Sequence, residues 1–176
     1  LGYVGIAGRV TYDYMTKYML DINLGYNGSE NFAKGKRFGL FPAVSVGWIP
    51  TEETFMKNID FIDYLKFRAS YGIVGNDIQG GNRFLYLPDS YLLQSGGYNF
   101  GTDNPVNQYT ASEGQVGNPN VTWEKARKRN IGVDLRIINS KLGFTFDLFD
   151  EYRNNILTTR QVVPEYLAIT LPAVNI

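Results

Sequence analysis

Residues 37–76 read RFGLFPAVSVGWIPTEETFMKNIDFIDYLKFRASYGIVGN, and their alternation decides the fold. Between Phe38 and Pro50, Leu40, Val44, Val46 and Trp48 recur on one face, and Gly39, Ala43, Ser45 and Gly47 take the other. Between Leu65 and Val74, Leu65, Phe67, Ala69, Tyr71 and Ile73 alternate with Lys66, Arg68, Ser70 and Gly72. A period of two marks a strand with two different surroundings. Here one side is broad and apolar with aromatic ends, and the other is charged or tiny. A soluble sandwich alternates in this way, and so does a transmembrane barrel with lipid outside and a polar lumen inside. The connection Thr51 to Asn58 predicts a short helix capped by Thr51, with Glu52 and Glu53 in its first turn.

The same rhythm extends in both directions. Residues 2–12 set Val4, Ile6, Val10 and Tyr12 against Gly5, Ala7, Arg9 and Thr11. After a polar turn at 13–17, Tyr18, Leu20, Ile22, Leu24 and Tyr26 oppose Met19, Asp21, Asn23, Gly25 and Asn27. A tyrosine at each end of the apolar row, with Trp48 ending its own, is the spacing of rings at two membrane–water interfaces. Residues 28–37 (GSENFAKGKR) read as a polar loop. Residues 123–138 place Ile131, Val133, Leu135 and Ile137 opposite Asn130, Gly132, Asp134 and Arg136. Beyond a tight turn at Asn139-Ser140, Leu142, Phe144, Phe146 and Leu148 oppose Gly143, Thr145 and Asp147. The pattern fades after Arg153. Six strands are expected, all antiparallel, in up-and-down order.

Composition narrows the function. Lys+Arg and Asp+Glu are 17 each, so bulk charge favours no nucleic-acid partner. The chain has no Cys and no His, which removes thiolate chemistry, Cys-ligated zinc and the commonest general base. The 13 Tyr, 11 Phe and 19 Gly suit strands, turns and interface belts. No run approaches the ~20 apolar residues of a membrane-spanning helix. No signal peptide opens the chain. Leu1 opens directly inside a strand pattern and Ile176 closes without a stop signal, and an internal fragment of a longer protein is expected.

Connections and charges separate barrel from sandwich. Up-and-down order puts 13–17, 51–64 and 139–140 at one end, and 28–37 with the long stretch 76–120 at the other. Short turns on one side and long loops on the other are the habit of outer-membrane barrels, although 51–64 is longer than such turns usually are. Arg9, Asp21, Lys66, Arg68, Asp134, Arg136 and Asp147 all fall on the small or polar face. On a lipid face, Arg or Lys at the midplane would cost ~2–4 kcal/mol.

Three pieces, taken with the central stretch, resemble one family. They are RVTYDYMTKYMLDINLGYNGSENFAKGKRFG, then EETFMKN with FIDYLKFRASYGIVGN, and NPNVTWEKARKRNIGVDLRIINSKLGFTFDLFDEYRNNIL. In that order they look like the barrel of SusC/RagA-type TonB-dependent outer-membrane transporters. The likeness is weakest over 80–115 and after 160. It implies a segment of a barrel of about 22 strands with an N-terminal plug. It also implies a SusD-like surface lipoprotein as partner, TonB as the energy source, and glycans or oligopeptides as cargo. Neither plug nor TonB box is present here. Readings from other classes are a soluble or surface-attached β-sandwich that binds carbohydrate, and a passive porin.

Candidate site residues lie mainly in 76–120. Tyr86, Tyr91, Tyr98, Phe100 and Tyr109 alternate with amides such as Asn104 and Gln108, a mixture that stacks on sugars and bonds hydroxyls. The same rings also suit packing within the loop or against the lipoprotein. Part of 84–110 is expected to be ordered by such packing, on the extracellular side. Tyr18, Tyr26 and Trp48 are expected in the lipid-interface girdle, and the role of Trp123 is open. Asp103-Asn104 with Asn107 offers oxygen ligands but no EF-hand spacing, so no metal site is read there. The sequons Asn27-Gly28-Ser29 and Asn120-Val121-Thr122 carry no role in a bacterial outer membrane. Asp134, Asp147 and Glu151 stand among Arg and Lys as a mixed-charge lining and not a catalytic pair. No catalytic constellation and no cofactor is expected, and so no enzyme.

Overall fold

The computed structural model describes residues 2–59, 61–77, 83–88, 91–102, 106–113, 116–159 and 171–176. Six long strands form one antiparallel sheet: β1 (Tyr3–Tyr14), β2 (Tyr18–Ser29), β3 (Phe38–Trp48), β4 (Ile62–Asn76), β7 (Glu124–Ile137) and β8 (Leu142–Asn154). They lie in the order β1-β2-β3-β4-β7-β8, so every neighbour is the next of the six along the chain. The sheet does not close on itself, and β1 and β8 are its two edges. Among the described residues two small pairs accompany it: β5 (Tyr91–Phe100) with β6 (Val106–Glu113), and β9 (Leu157–Thr159) with β10 (Ala173–Asn175).

Register confirms the two-faced reading. Directly opposed residues of an antiparallel pair share a face. One row runs Tyr18, Trp48, Phe67, Val133, Phe146, and another Leu20, Val46, Ala69, Ile131, Leu148. Between them on the reverse face run Gly47, Arg68, Gly132 and Asp147. Leu24, Val44 and Phe144 join the apolar face through Pro42, Tyr71 and Leu135. This face lies open: Val10 is 66% and Phe146 67% exposed. Soluble monomers rarely expose apolar patches beyond a few hundred Å², so the sandwich reading fails on this face. No helix among the described residues is long and apolar enough to cross a membrane, so any crossing falls to the strands.

The apolar rows also reveal the strand tilt. On β2 the row ends at Tyr26, but on β8 it ends at Leu148, which lies level with Leu20. The six positions from Leu20 to Tyr26 are about 20 Å of strand, and the four steps from β2 to β8 about 19 Å of sheet. The band therefore crosses the strands at about 45°, the tilt of strands in membrane barrels.

Local chemistry sets the connections. Met15 and Thr16, both with positive φ, are the central residues of the turn between β1 and β2, closed by the Lys17 amide on the Tyr14 carbonyl at 3.0 Å. Ile138, Asn139 and Ser140 turn β7 into β8, again with positive φ. The expected helix after residue 50 is only a 3₁₀ turn, Pro50–Glu52, with Ile49 at its cap position. Thr51 does not cap it: its hydroxyl accepts from the Leu65 amide at 3.4 Å. Proline favours a first-turn position, which explains the start at Pro50. The stretch 76–120, read as one polar loop, contains the β5–β6 hairpin.

Candidate functional site

The polar face is a lattice of paired charges. Arg68, centred on β4, donates to Asp134 at 3.2 Å and to Asp147 at 2.7 Å. Thr145 donates to the other Asp134 oxygen at 3.0 Å. Gly132 makes the fork fit, because a Cβ there would collide with the Arg68 guanidinium and the Asp147 carboxylate. Arg9 donates to Asp21, which also accepts from Asn23 at 2.6 Å. A groove on this side is lined by Thr11, Asp21, Ser45, Lys66, Arg68 and Asn130. The apolar recess on the reverse is lined by Tyr18, Leu20, Val46, Trp48, Phe67 and Ile131. Alternate charges and hydroxyls of this kind hold water and ions, and among the described residues no proton-transfer pair stands out. Among the described residues no group of three or more acidic side chains could hold a metal.

The expected girdle residues sit on the apolar face in stacked pairs. Tyr18 stacks with Tyr14 at 6.5 Å, Tyr26 with Phe38 at 5.2 Å, and Trp48 with Phe67 at 5.8 Å. At the tight-turn end, the Glu53 carboxylate accepts from the Tyr18 hydroxyl at 2.7 Å and from the Lys17 ammonium at 3.0 Å. These two donors, Tyr18 foremost, hold the Glu53 carboxyl below its usual pKa.

The opposite end is built differently. The β3–β4 ladder stops at Ala43–Gly72, although β3 runs on to Phe38 and β4 to Asn76. Pro42, with no N–H to give, is the first β3 residue without a β4 partner. Side chains take over where the ladder ends. Phe41 packs on Trp123 at 5.2 Å, and Phe32 on Trp123 at 5.1 Å. Leu85 and Val121 complete a buried cluster, with Ile73, Leu157 and Ala173 against it. Glycine at 39 and 75 leaves room for the Phe41 ring. Ile73, in the apolar row of β4 and opposite Arg127, packs against this cluster, which marks the long-loop end of the sheet, its mouth. Polar ties bind the same segments: Trp123 Nε1 donates to the Arg37 carbonyl at 3.1 Å, Ser29 to Asp77 at 2.7 Å, and Lys36 to Asn120 at 2.9 Å. Asn175 of β10 donates to the Thr122 and Asn155 carbonyls and accepts from the Thr122 amide.

The candidate contact residues are divided by the structure. Tyr98 lies opposite Gln108, with Phe100 two residues on, so these three share one hairpin face. Tyr98 and Phe100 meet edge to face at 4.9 Å. Tyr109, opposite Gly97, belongs to the reverse face. Tyr98, Phe100 and Tyr109 are all exposed. Tyr91 pairs through its backbone with Glu113 at the hairpin base. Tyr86 stands apart, half-buried beside Phe84 at 6.4 Å. Asn104, with Asp103, lies outside the described residues. Sequence reasoning missed the mouth cluster. Its signals were a lone Phe32 in a polar loop, a Trp at a strand entry, and Phe41 on a row of otherwise small residues.

Tilted antiparallel strands with an apolar outer band and an ion-paired reverse face define a segment of a transmembrane β-barrel. The chain belongs to the TonB dependent receptor-like β-barrel family, which matches residues 3–176. It is a family of outer-membrane receptors and transporters, not an enzyme class. The chain is 34% identical over 152 residues to TonB-dependent receptor P39 of Formosa agariphila, covering 86% of this chain and 14% of that protein. It is 29% identical over 161 residues to TonB-dependent receptor SusC of Bacteroides thetaiotaomicron, covering 90% and 16%. In fold it is similar to a chain of the RagAB peptide importer in its closed-closed state, with TM-score 0.80 and 20% identity over 98% of this chain and 18% of that one. It spans less than a fifth of each of these proteins.

Proposed function

We propose that this chain is the membrane-embedded part of an outer-membrane importer that takes up glycans or oligopeptides with TonB-delivered energy and a SusD-like lipoprotein. The observation that carries the reading is the pair of opposed faces. An open apolar face banded by stacked aromatics needs lipid, and its ion-paired reverse suits the wall of a water-filled or plugged lumen. Tyr18, Tyr26 and Trp48 serve as interface anchors. The unpaired edges of β1 and β8 meet further strands in the whole protein, since an open edge in lipid would strand its backbone polar groups. Relatives named for SusC and for a peptide importer support uptake of large nutrients.

The mouth end, carrying 28–37 and 76–120, faces outward. There Tyr98, Phe100 and Gln108 present rings and an amide on one hairpin face, ready for cargo or lipoprotein, with Tyr109 serving the reverse face. Excising 91–113 from the intact parent spares Leu85 and Trp123. It should leave heat-modifiable barrel migration on gels unchanged and lower uptake or lipoprotein capture at least tenfold. Normal uptake and capture would refute the hairpin's role. A tag in the hairpin reachable only from the periplasm would refute the orientation.

A further inference from the structure

We propose that Arg127 and Arg129 of β7 form a docking site for the phosphate groups of outer-leaflet lipid A. The proposal rests on the membrane orientation given above. Apart from Asp63, set out of the row by the bulge between Ile62 and Tyr64 at the tight-turn end, β1 to β4 carry no charged residue in the alternating rows of their apolar face. Otherwise charge enters at one corner only. The β7 row Ile137, Leu135, Val133, Ile131 continues toward the mouth as Arg129, Arg127 and Lys125, and the β8 row continues past Leu148 to Asp150 and Tyr152. Because the apolar band slopes across the sheet, Arg129 stands just beyond its edge, about 7 Å along the strand from Ile131. That is headgroup depth on the mouth side.

The surroundings suit an anion. The Arg129 guanidinium lies over the Tyr71 ring, 6.0 Å from its centroid, and Tyr152 is opposite Arg127. Both arginines are exposed, and among the described residues neither forms an ion pair. Asp150 is level with Arg129 in the ladder, yet no ion pair joins them. Arg9, Arg68 and Arg153, on the polar face, are by contrast each paired with a carboxylate. Guanidinium groups two positions apart on one strand can each chelate a phosphate oxygen pair. Basic and aromatic side chains at this depth are how membrane proteins hold anionic headgroups.

The test uses the intact parent transporter in detergent, titrated with bisphosphorylated lipid A and followed by native mass spectrometry. R127Q/R129Q should weaken lipid A binding at least tenfold, whereas K128Q, one residue away on the reverse face, should bind like wild type. Phosphatidylglycerol at the same concentrations should bind more weakly than lipid A and discriminate less between the variants. Equal lipid A binding by wild type and R127Q/R129Q would overturn the site, and equal loss in K128Q would show a bulk-charge effect and overturn it too. Equal affinity for phosphatidylglycerol would overturn the lipid A assignment. If the double variant fails to fold, salt decides: wild-type binding must weaken as salt rises, and salt-independent binding refutes the proposal. A parent that stays monodisperse without detergent would instead refute the membrane reading itself.

Discussion

The two ends of the sheet reverse direction by different physics. At the tight-turn end, backbone conformation does the work: Met15–Thr16 and Ile138–Ser140 turn through positive φ, and the strands pair to their last residues. At the mouth, pairing between β3 and β4 stops early, and five buried side chains from four separate stretches hold the segments together. The two hairpin turns of the first end depend on neighbours in sequence, whereas the mouth cluster depends on partners as far apart as Phe32 and Trp123. Damage should therefore spread at the mouth and stay confined at the turns.

The strongest way to break this contrast is Trp123→Ala in the intact parent. It removes the ring shared by Phe32 and Phe41 and the bond to the Arg37 carbonyl, a change that typically costs about 3–5 kcal/mol. Hydrogen exchange should rise in 28–37, 83–88 and 116–123 together while the middle of β2 and β3 keeps its protection. Exchange rising in only one of these segments would show that the cluster is not a unit. Gly75→Val is the next largest. Its side chain would meet the Phe41 ring, and overpacking of this kind costs about 1–3 kcal/mol. Its thermal midpoint in detergent should fall, and pairing it with Phe41→Ala should recover part of the loss. The smallest effect belongs to the other end. Replacing Met15-Thr16 with Asn-Gly gives that turn residues suited to its positive φ and should stabilise by about 1 kcal/mol or less. Faster exchange in the mouth of that variant would mean the ends are coupled.

The same contrast explains what could be read from sequence. Leu20 beside Asp21, or Phe67 beside Arg68, announces its face because a strand has a period of two and the surroundings differ sharply. From such pairs the six strands, their order, the tight turns and the sorted charges follow. The mouth was illegible because its contacts are long-range and its residues sit in stretches without period: Phe32 among polar neighbours, Val121 inside a sequon. The hairpin hid in the same way, since Gly96-Gly97 and the surrounding Asn and Ser blur alternation, and its register shifts between Leu93 and Gly97. Arg127 and Arg129 were visible as charges, but their depth appears only once the ladder fixes the slope of the apolar band.

The β4–β7 ladder runs unbroken at its mouth end to Asn76 opposite Glu124. Everything from 77 to 123 is thus, for the wall of the barrel, one excursion that leaves and returns at adjacent points. Closing such an excursion costs only about 0.6 kcal/mol more for each doubling of its length. The excursion must still deliver Leu85, Val121 and Trp123 to the cluster, but the segment from 91 to 113 between them carries no such obligation. A lineage can lengthen, shorten or replace that segment without renegotiating the membrane-spanning ladder, so diversification of what the mouth grips is decoupled from the stability of the wall.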